Sequence, residues 1–369
     1  MITVKAPEQY WSEPDILSKS GPLIAPFGKT ALIIAGKKAL QAVKPQLLDS
    51  LQESGVSYSI VEFGGKVTSQ EIETYTQTAL EQLANVIIGV GGGKVLDISK
   101  AVGGKLGIPV VAVPTVAATC ASWAAVSILY DELGRSSSYV LNQRSPVLVL
   151  ADTRILASAP KRYLASGIGD TLVKWYETVV NSNDTPDGLD IRIATQTAKL
   201  ALDRLHVYAL QAYEAAGIGE VTPALQEAVD AVIVLAGLAG TVQGTTARAA
   251  IAHSIHNSLT YIPQTSSTLH GEKVTFGLLT QIVLEAREDD EIQRLATLLH
   301  KLGLPITLQE LGIDEDPARI AVEIAKGVHL REDATRGLPF EVNESLLAQA
   351  ILQADQWGHR IIQEAYAKS

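Results

Sequence analysis

Over the N-terminal part of the chain, short runs of aliphatic and β-branched residues take turns with longer stretches whose apolar positions recur every three to four residues. The runs predict strands at 30–34, 58–63, 86–90, 110–113 and 147–151, with a further apolar element at 125–130. Helical patterns fill the gaps: one runs to about residue 54, one covers 69–83, and one presents Val95, Leu96, Ile98, Ala101 and Val102 on a single face. Strands that alternate with helices predict a mainly parallel sheet covered on both faces, with ligands expected at the carboxyl ends of the strands.

Near Pro160 the texture changes. The β-branched runs nearly vanish, and helical patterns rich in Ala, Leu, Gln and Glu follow at 166–180, 188–215, 222–243, 247–260, 271–286, 289–302 and on to the end. The predicted architecture is α/β plus all-α, with a boundary at 158/159 and a cleft between residues 1–158 and 159–369.

Length supports two domains, since 369 residues exceed a comfortable single core. A formal net charge of -10 argues against nucleic acid as a partner. Cys120 is the single cysteine, so an internal disulfide is excluded, and the MITVKAPEQYW start has neither the basic beginning nor the apolar core of a secretory leader; a cytoplasmic location is expected. The uncharged stretch 108–130 is long enough to cross a bilayer, but Pro109, Pro114 and its hydroxyl-bearing residues make it a poor lipid-facing helix. No membrane partner is expected.

Two places carry candidate chemistry. Gly91, Gly92 and Gly93 lie between the strand at 86–90 and the helix after it, where unpaired amides and the positive end of a helix favour an anion such as phosphate. The spacing does not match G-x-G-x-x-G, and a tight strand-to-helix turn needs glycine for steric reasons whether or not anything binds. The second place is a set of histidines: His253 and His256 stand three apart on one helical pattern, and His270 opens the next. With a carboxylate such as Asp170 they make a mixed N/O donor set for zinc or iron, although the spacing fits no short zinc pattern. A helix-capping Asp170 with packed or surface histidines is the plainer reading of the same residues.

The segments GVGGGKVLDISKAVGGKLGIPVVAVPT (89–115), PVLVLADTRILASAP (146–160), SGIGDTLVKWYE (166–177), AIAHSIHNSLT (250–260) and LHGEKVTFG (269–277) together resemble the metal-dependent polyol dehydrogenases, within the wider iron-containing alcohol dehydrogenase and dehydroquinate synthase group. The likeness runs in order along nearly the whole chain. It implies a Rossmann-like nucleotide-binding domain (1–158), a helical metal-binding domain (159–369), an NAD(P) cofactor, and a divalent metal, with zinc favoured over iron. Carried over by position, the metal ligands are Asp170, His253 and His270, with His256 as a neighbouring proton-relay residue. The cofactor pyrophosphate falls to Gly91, Gly92, Gly93 and Lys94, with Asp97 toward the nicotinamide and Thr115, Thr119 and Tyr130 lining the rest. The partner is a small alcohol or aldehyde, and assembly into a homo-oligomer is expected.

The chain departs from that pattern at several positions. Gly36, followed by Lys37 and Lys38, stands where NAD-using members place a ribose-binding aspartate, which leaves room and charge for the 2'-phosphate of NADP. Cys120 replaces a substrate-binding aspartate, so glycerol itself is a poor fit and a less polar alcohol or aldehyde is expected. Trp123 in the same segment either narrows a pocket or packs, and Ala124 replaces a serine. Lys174 stands where iron-type relatives carry a further histidine ligand, so three protein ligands and one open position are expected. Two rival readings are a carbocycle-forming lyase, for which Lys174, Arg248 and Lys273 are the available cations, and a non-catalytic nucleotide-binding scaffold.

Overall fold

A computed structural model of the protein describes residues 1–180, 188–243, 250–335 and 338–368. Its contacts divide the chain into two compact units, one made of 3–164 and 211–241, the other of 1–2, 165–210 and 242–369.

The first unit is built on a six-stranded sheet. Its strands are β1 (Gln9–Glu13), β2 (Thr30–Ala35), β3 (Ser57–Glu62), β4 (Val86–Gly91), β5 (Val110–Pro114) and, after a hairpin of β6 (Val126–Tyr130) and β7 (Ser136–Leu141), β8 (Leu148–Asp152). Their order is β1-β8-β5-β4-β2-β3, and every pairing is parallel. Residues alternate between the two faces, as a pleated strand requires. Ala31, Ile33 and Ala35 pack with Val43, Leu47 and Leu51 of α1 (Lys37–Glu53), while Leu32 and Ile34 meet Ile72 and Tyr75 of α2 (Ser69–Glu81) and Val95 and Ile98 of α3 (Gly93–Leu106). The aliphatic runs arise from this double burial.

Two elements of this unit do not follow from hydrophobic pattern. Strand β1 reads QYWSE and sits at a sheet edge, held by its ladder to β8 and by Tyr10, whose hydroxyl donates to Asp230 at 2.6 Å. Strand β7 reads SSSYVL, with no apolar/polar alternation and with Tyr139 and Leu141 exposed, and is defined by pairing with β6. Residues 211–241 join this unit through a helix that runs from Pro223 to Thr241 and contains a π-type stretch, Ala231–Leu235. It is the one helix among the described residues long and apolar enough to span a membrane, yet its contacts are those of a core helix: Tyr10 bonds Asp230, and Trp123 lies flat enough against Gly237 that a Cβ there would overlap the indole. The uncharged stretch 108–130 is a strand, a loop and a second strand.

The second unit is helical. Its main elements are α4 (Lys161–Val179, which begins at the end of the first unit), α5 (Leu189–Ala215), α6 (Ile251–Leu259), α7 (His270–Leu284), α8 (Asp289–Lys301), α9 (Pro317–Lys326) and α10 (Glu344–Lys368). Ile251, Ile255, Leu259, Phe276, Ile320, Ile324, Leu347 and Ile351 form a core shared by α6, α7, α9 and α10. The sequence predicts helix from 247; the described helix starts at Ile251, and 247–249, with Arg248, lie outside the described residues. Between α6 and α7 the chain makes a short 3-10 turn, Pro263–Ser267.

Candidate active site

The sheet turns back on itself between β2 and β4, because the chain leaves β2 for β3 on one side and returns to β4 on the other. Ligands of such sheets bind at this switch point, beyond the carboxyl strand ends. Here the ends carry Gly36, the N-cap of α1, and the Gly91–Gly93 turn into α3, and the Gly36 amide bonds the Val90 carbonyl at 3.2 Å. Gly91 has φ 155°, and a Cβ would come within 2.8 Å of Val95, so glycine is required by both conformation and space. Thr115 donates its amide to the Gly91 carbonyl at 3.2 Å, and the Thr119 hydroxyl stands against Gly93. Lys94 places its ammonium 4.9 Å from the centre of the Tyr130 ring. Burial pushes the Lys94 ammonium down from the ordinary lysine range, and burial followed by the Asp97 charge pushes the Tyr130 phenol up. Gly91, Gly92, Gly93, Lys94, Thr115, Thr119 and Tyr130 therefore gather around one helix start.

Asp97 is occupied differently. Its carboxylate pairs with Lys100 at 2.9 Å and accepts the Ile128 amide at 3.2 Å, while its carbonyl accepts from Ser127. Lys100 in turn reaches the Ala124 and Val126 carbonyls. This buried pair fastens β6 to α3. In the loop before β6, half-buried Cys120 offers its carbonyl to the Trp123 and Ala124 amides, and Trp123 packs edge-on against Tyr10 and beneath Gly237. Packing is the role its contacts describe.

In the helical unit, α4 supplies Asp170, α6 supplies His253 and His256, and α7 begins with His270. Close helix contacts bring them together. A Cβ on Gly271 would overlap the Ser166 carbonyl one turn before Asp170, and one on Gly277 would overlap the Ala252 carbonyl beside His253. Glycine at these two positions lets α7 lie directly on α4 and α6, and the Gly271 amide bonds the Ser166 hydroxyl at 3.1 Å. As a result one carboxylate oxygen of Asp170 and one ring nitrogen from each of His253 and His270 lie within 4.8 Å of one another.

The surrounding hydrogen bonds orient both rings. Glu177 accepts the His253 amide at 2.9 Å and faces His253 Nδ1 at 2.7 Å, so the neutral ring donates from Nδ1 and keeps a lone pair on Nε2. On the other side His256 Nδ1 faces Asn257 Oδ1 at 3.0 Å, and its Nε2 faces His270 Nδ1 at 3.0 Å. With the Asn257 oxygen accepting, each ring donates from Nδ1, and the lone pair again falls on His270 Nε2. The two Nε2 atoms point at Asp170 Oδ1 from 3.3 and 3.6 Å. Three acceptor atoms facing one another is an arrangement that calls for a positive guest, and supporting acceptors behind each ring are what a metal-binding histidine requires. The donor set fits a divalent ion. Lys174 supplies positive charge in the same place, with Nζ 3.0 Å from Asp170 Oδ1 and 3.2 Å from His253 Nε2.

The protonation preferences follow. Burial acts to raise the Asp170 carboxyl, but the Lys174 ammonium first, and then the neighbouring His253 and His270 rings, outweigh it and hold the group well below the usual carboxylate range. Burial pushes His270 down and, joined by the positive charges of His270, His253 and Lys273, pushes His256 down further. His253 rises despite its burial because Glu177 is beside it.

A model of the iron-containing alcohol dehydrogenase family matches residues 7–153. The glycerol dehydrogenase of Escherichia coli O6:H1 is 35% identical over 366 residues, which is 98% of each chain, and the glycolaldehyde reductase of Halobacterium salinarum is 33% identical over 362 residues, 97% of this chain and 98% of the other. The chain belongs to the iron-containing alcohol dehydrogenase family. The glycerol dehydrogenase crystal structure from Schizosaccharomyces pombe superimposes on it with a TM-score of 0.89 at 29% identity, covering 98% of this chain and 92% of that one. Against a family of alcohol dehydrogenases, the lyase and scaffold readings lose their ground. Lys273, one of the cations the lyase reading needs, donates to the Thr268 carbonyl at 2.8 Å.

Glu177 and Asn257 escaped the sequence reading. A signal for Glu177 was present: Asp170, Lys174 and Glu177 fall at i, i+4 and i+7, on one helical face.

Proposed function

We propose that this chain is a divalent-metal-dependent dehydrogenase that interconverts a small alcohol and its carbonyl compound with a nicotinamide dinucleotide. The convergence of Asp170, His253 and His270 carries the reading. When bound, a divalent ion there supplies Lewis acidity that eases loss of the alcohol proton, and the nicotinamide accepts the hydride. Asp170, His253 and His270 hold the ion; Glu177 and His256 fix the two rings and keep their Nε2 lone pairs directed inward. His256, buried and kept neutral, transmits hydrogen bonding from Asn257 to His270 and is the residue through which a proton can be held beside the site.

Three protein ligands with one open position suit zinc, and we assign zinc ahead of iron on that ground. The cofactor pyrophosphate rests on Gly91, Gly92, Gly93 and Lys94, where backbone amides and the start of α3 favour an anion. Thr115, Thr119 and Tyr130 border the same place, while Asp97 acts through the position of β6. At Gly36 no carboxylate is available, and Lys37 and Lys38 are exposed beside it, which supports NADP over NAD. Cys120 cannot accept hydrogen bonds as a carboxylate does, so glycerol is not the preferred substrate.

The test is to load the protein with zinc and with ferrous iron in turn, measure metal per chain, and follow cofactor reduction across a panel of alcohols and diols. About one ion per chain with metal-dependent cofactor reduction is the expected result. A protein that takes up no ion, or reduces cofactor equally well after chelation, overturns the assignment.

A further inference from the structure

Helix α6 carries His253 in its first turn but does not cap its own start. Its N-cap position is Ala250, whose methyl accepts no hydrogen bond, so the early amides of α6 need partners from other elements. Two of them find partners on the helices that carry the other ligands. Glu177 of α4 accepts the His253 amide at 2.9 Å, and Gln281 of α7 accepts the Ala252 amide through Oε1 at 3.3 Å. Gln281 is fully buried, and its contacts fix which way its amide group faces: the Ala252 N–H needs an acceptor, and Nε2 donates to one carboxylate oxygen of Glu285 at 2.8 Å. The other Glu285 oxygen takes the Arg287 guanidinium at 2.6 Å. One turn before Gln281, Gly277 is the point at which the Ala252 carbonyl meets α7, so both backbone polar groups of Ala252 lie against that helix. Packing alone does not call for an amide here, since leucine or methionine fills the same space with no polar atoms to satisfy.

We propose that Gln281 is a positioning residue for the metal site: it holds the start of α6 so that His253 Nε2 bears on Asp170 and His270. This rests on the metal-dependent reading above and deepens it. The bearing of a ligand atom is set by its backbone as well as by its ring. Glu177 alone would fix the His253 ring and amide yet let the end of the helix pivot about that one residue. Gln281 pins the residue before it from a second helix, so turning and sliding of α6 are both resisted. A displacement of about 0.5 Å is enough to spoil a donor set. Glu285 and Arg287 in turn keep the Gln281 amide from rotating, which extends the support for His253 to the far end of α7.

The test uses the full chain and two readouts besides turnover: zinc affinity in a chelator competition, and the visible absorption of the cobalt(II)-loaded protein, which reports ligand geometry. Gln281→Leu and Gln281→Met remove the acceptor at similar size, and the double variant Gln281→Glu with Glu285→Gln exchanges the two side-chain chemistries. That exchange keeps the charge, the acceptor for Ala252, a donor between the two side chains and an acceptor for Arg287. The apolar variants should lose about ten-fold in zinc affinity and shift the cobalt bands, while the double variant stays close to the wild type in both. Apolar variants that melt at a lower temperature but match the wild type in zinc affinity and cobalt spectrum overturn the inference, because Gln281 then only packs. A double variant that loses as much zinc affinity as the apolar ones overturns it too, and decides the matter even where those do not fold. A wild type that takes up no ion overturns the metal-dependent reading and this inference with it, whereas a loaded wild type with unaffected variants sinks this inference alone.

Discussion

The two candidate sites are built on opposite principles. The place proposed for the cofactor pyrophosphate in the sheet unit is made from consecutive residues and largely from backbone: a strand end, three glycines and the first turn of α3. The cluster in the helical unit is made from side chains on three helices, with His253 83 positions after Asp170 and His270 17 positions after His253. A backbone site tolerates many side-chain changes, though not a Cβ at Gly91. A side-chain cluster fails with the loss of a single donor atom, and it depends on distant helix contacts being close enough.

Four substitutions sharpen that contrast. The largest effect is expected at Asp170→Asn, which keeps shape but removes the only formal charge among the three ligand atoms. Metal content should fall to background and cofactor reduction by on the order of 1,000-fold, while dinucleotide affinity measured by fluorescence titration stays within a few-fold. A variant that still holds its ion would refute the ligand assignment.

Next is Glu177→Gln, which leaves His253 its hydrogen-bond partner but removes the charge behind the ring. A loss of about 10- to 100-fold in metal affinity is expected in a chelator competition, with the fold intact. An unchanged affinity would mean that Glu177 only packs.

Gly36→Asp probes the backbone site. The nearest neighbours of an added Cβ are Ala39 at 3.8 Å and Val95 at 3.9 Å, so the side chain is accommodated. The ratio of kcat/KM for NADP to that for NAD should drop by about ten-fold or more, since the carboxylate repels a 2'-phosphate and accepts a ribose hydroxyl. No change in the ratio would place the adenosine end elsewhere.

The smallest effect is a pH dependence. Lys94 has its pKa lowered by burial, so the folded protein surrenders this proton below the ordinary lysine range. Stability itself is lowest while the buried group is charged and recovers as pH rises toward the unfolded lysine value. Dinucleotide affinity runs the opposite way: it should be full at neutral pH and weaken several-fold as pH rises through the depressed value. Lys94→Met should flatten that profile. A wild-type affinity constant across the range would remove Lys94 from the anion site.

How much of this was legible beforehand varied with the kind of interaction. Strands β2, β4, β5 and β8 announced themselves because they are buried on both faces, and burial of that kind demands continuous aliphatic runs. Strands β1 and β7 did not, since an edge strand and a hairpin partner are specified by hydrogen bonding to a neighbour and leave little trace in hydropathy. Among the cluster residues, the identities of Asp170, His253 and His270 came from likeness to a family and not from spacing. Their company, Glu177 behind His253 and His256 behind His270, depended on which rotamer and ring nitrogen each helix contact allowed.

The sequence by itself determined the alternation of strand and helix, the glycine turn before α3, the change to helix near Pro160 and the family, because each is a local pattern or an ordered series of local patterns. Only the tertiary structure decided that Asp97 secures a strand, that Trp123 packs under a helix, and that three acceptor atoms and the Lys174 ammonium share one small volume. Those outcomes depend on the distance between helices, which glycines such as Gly271 and Gly277 permit but which no single segment encodes.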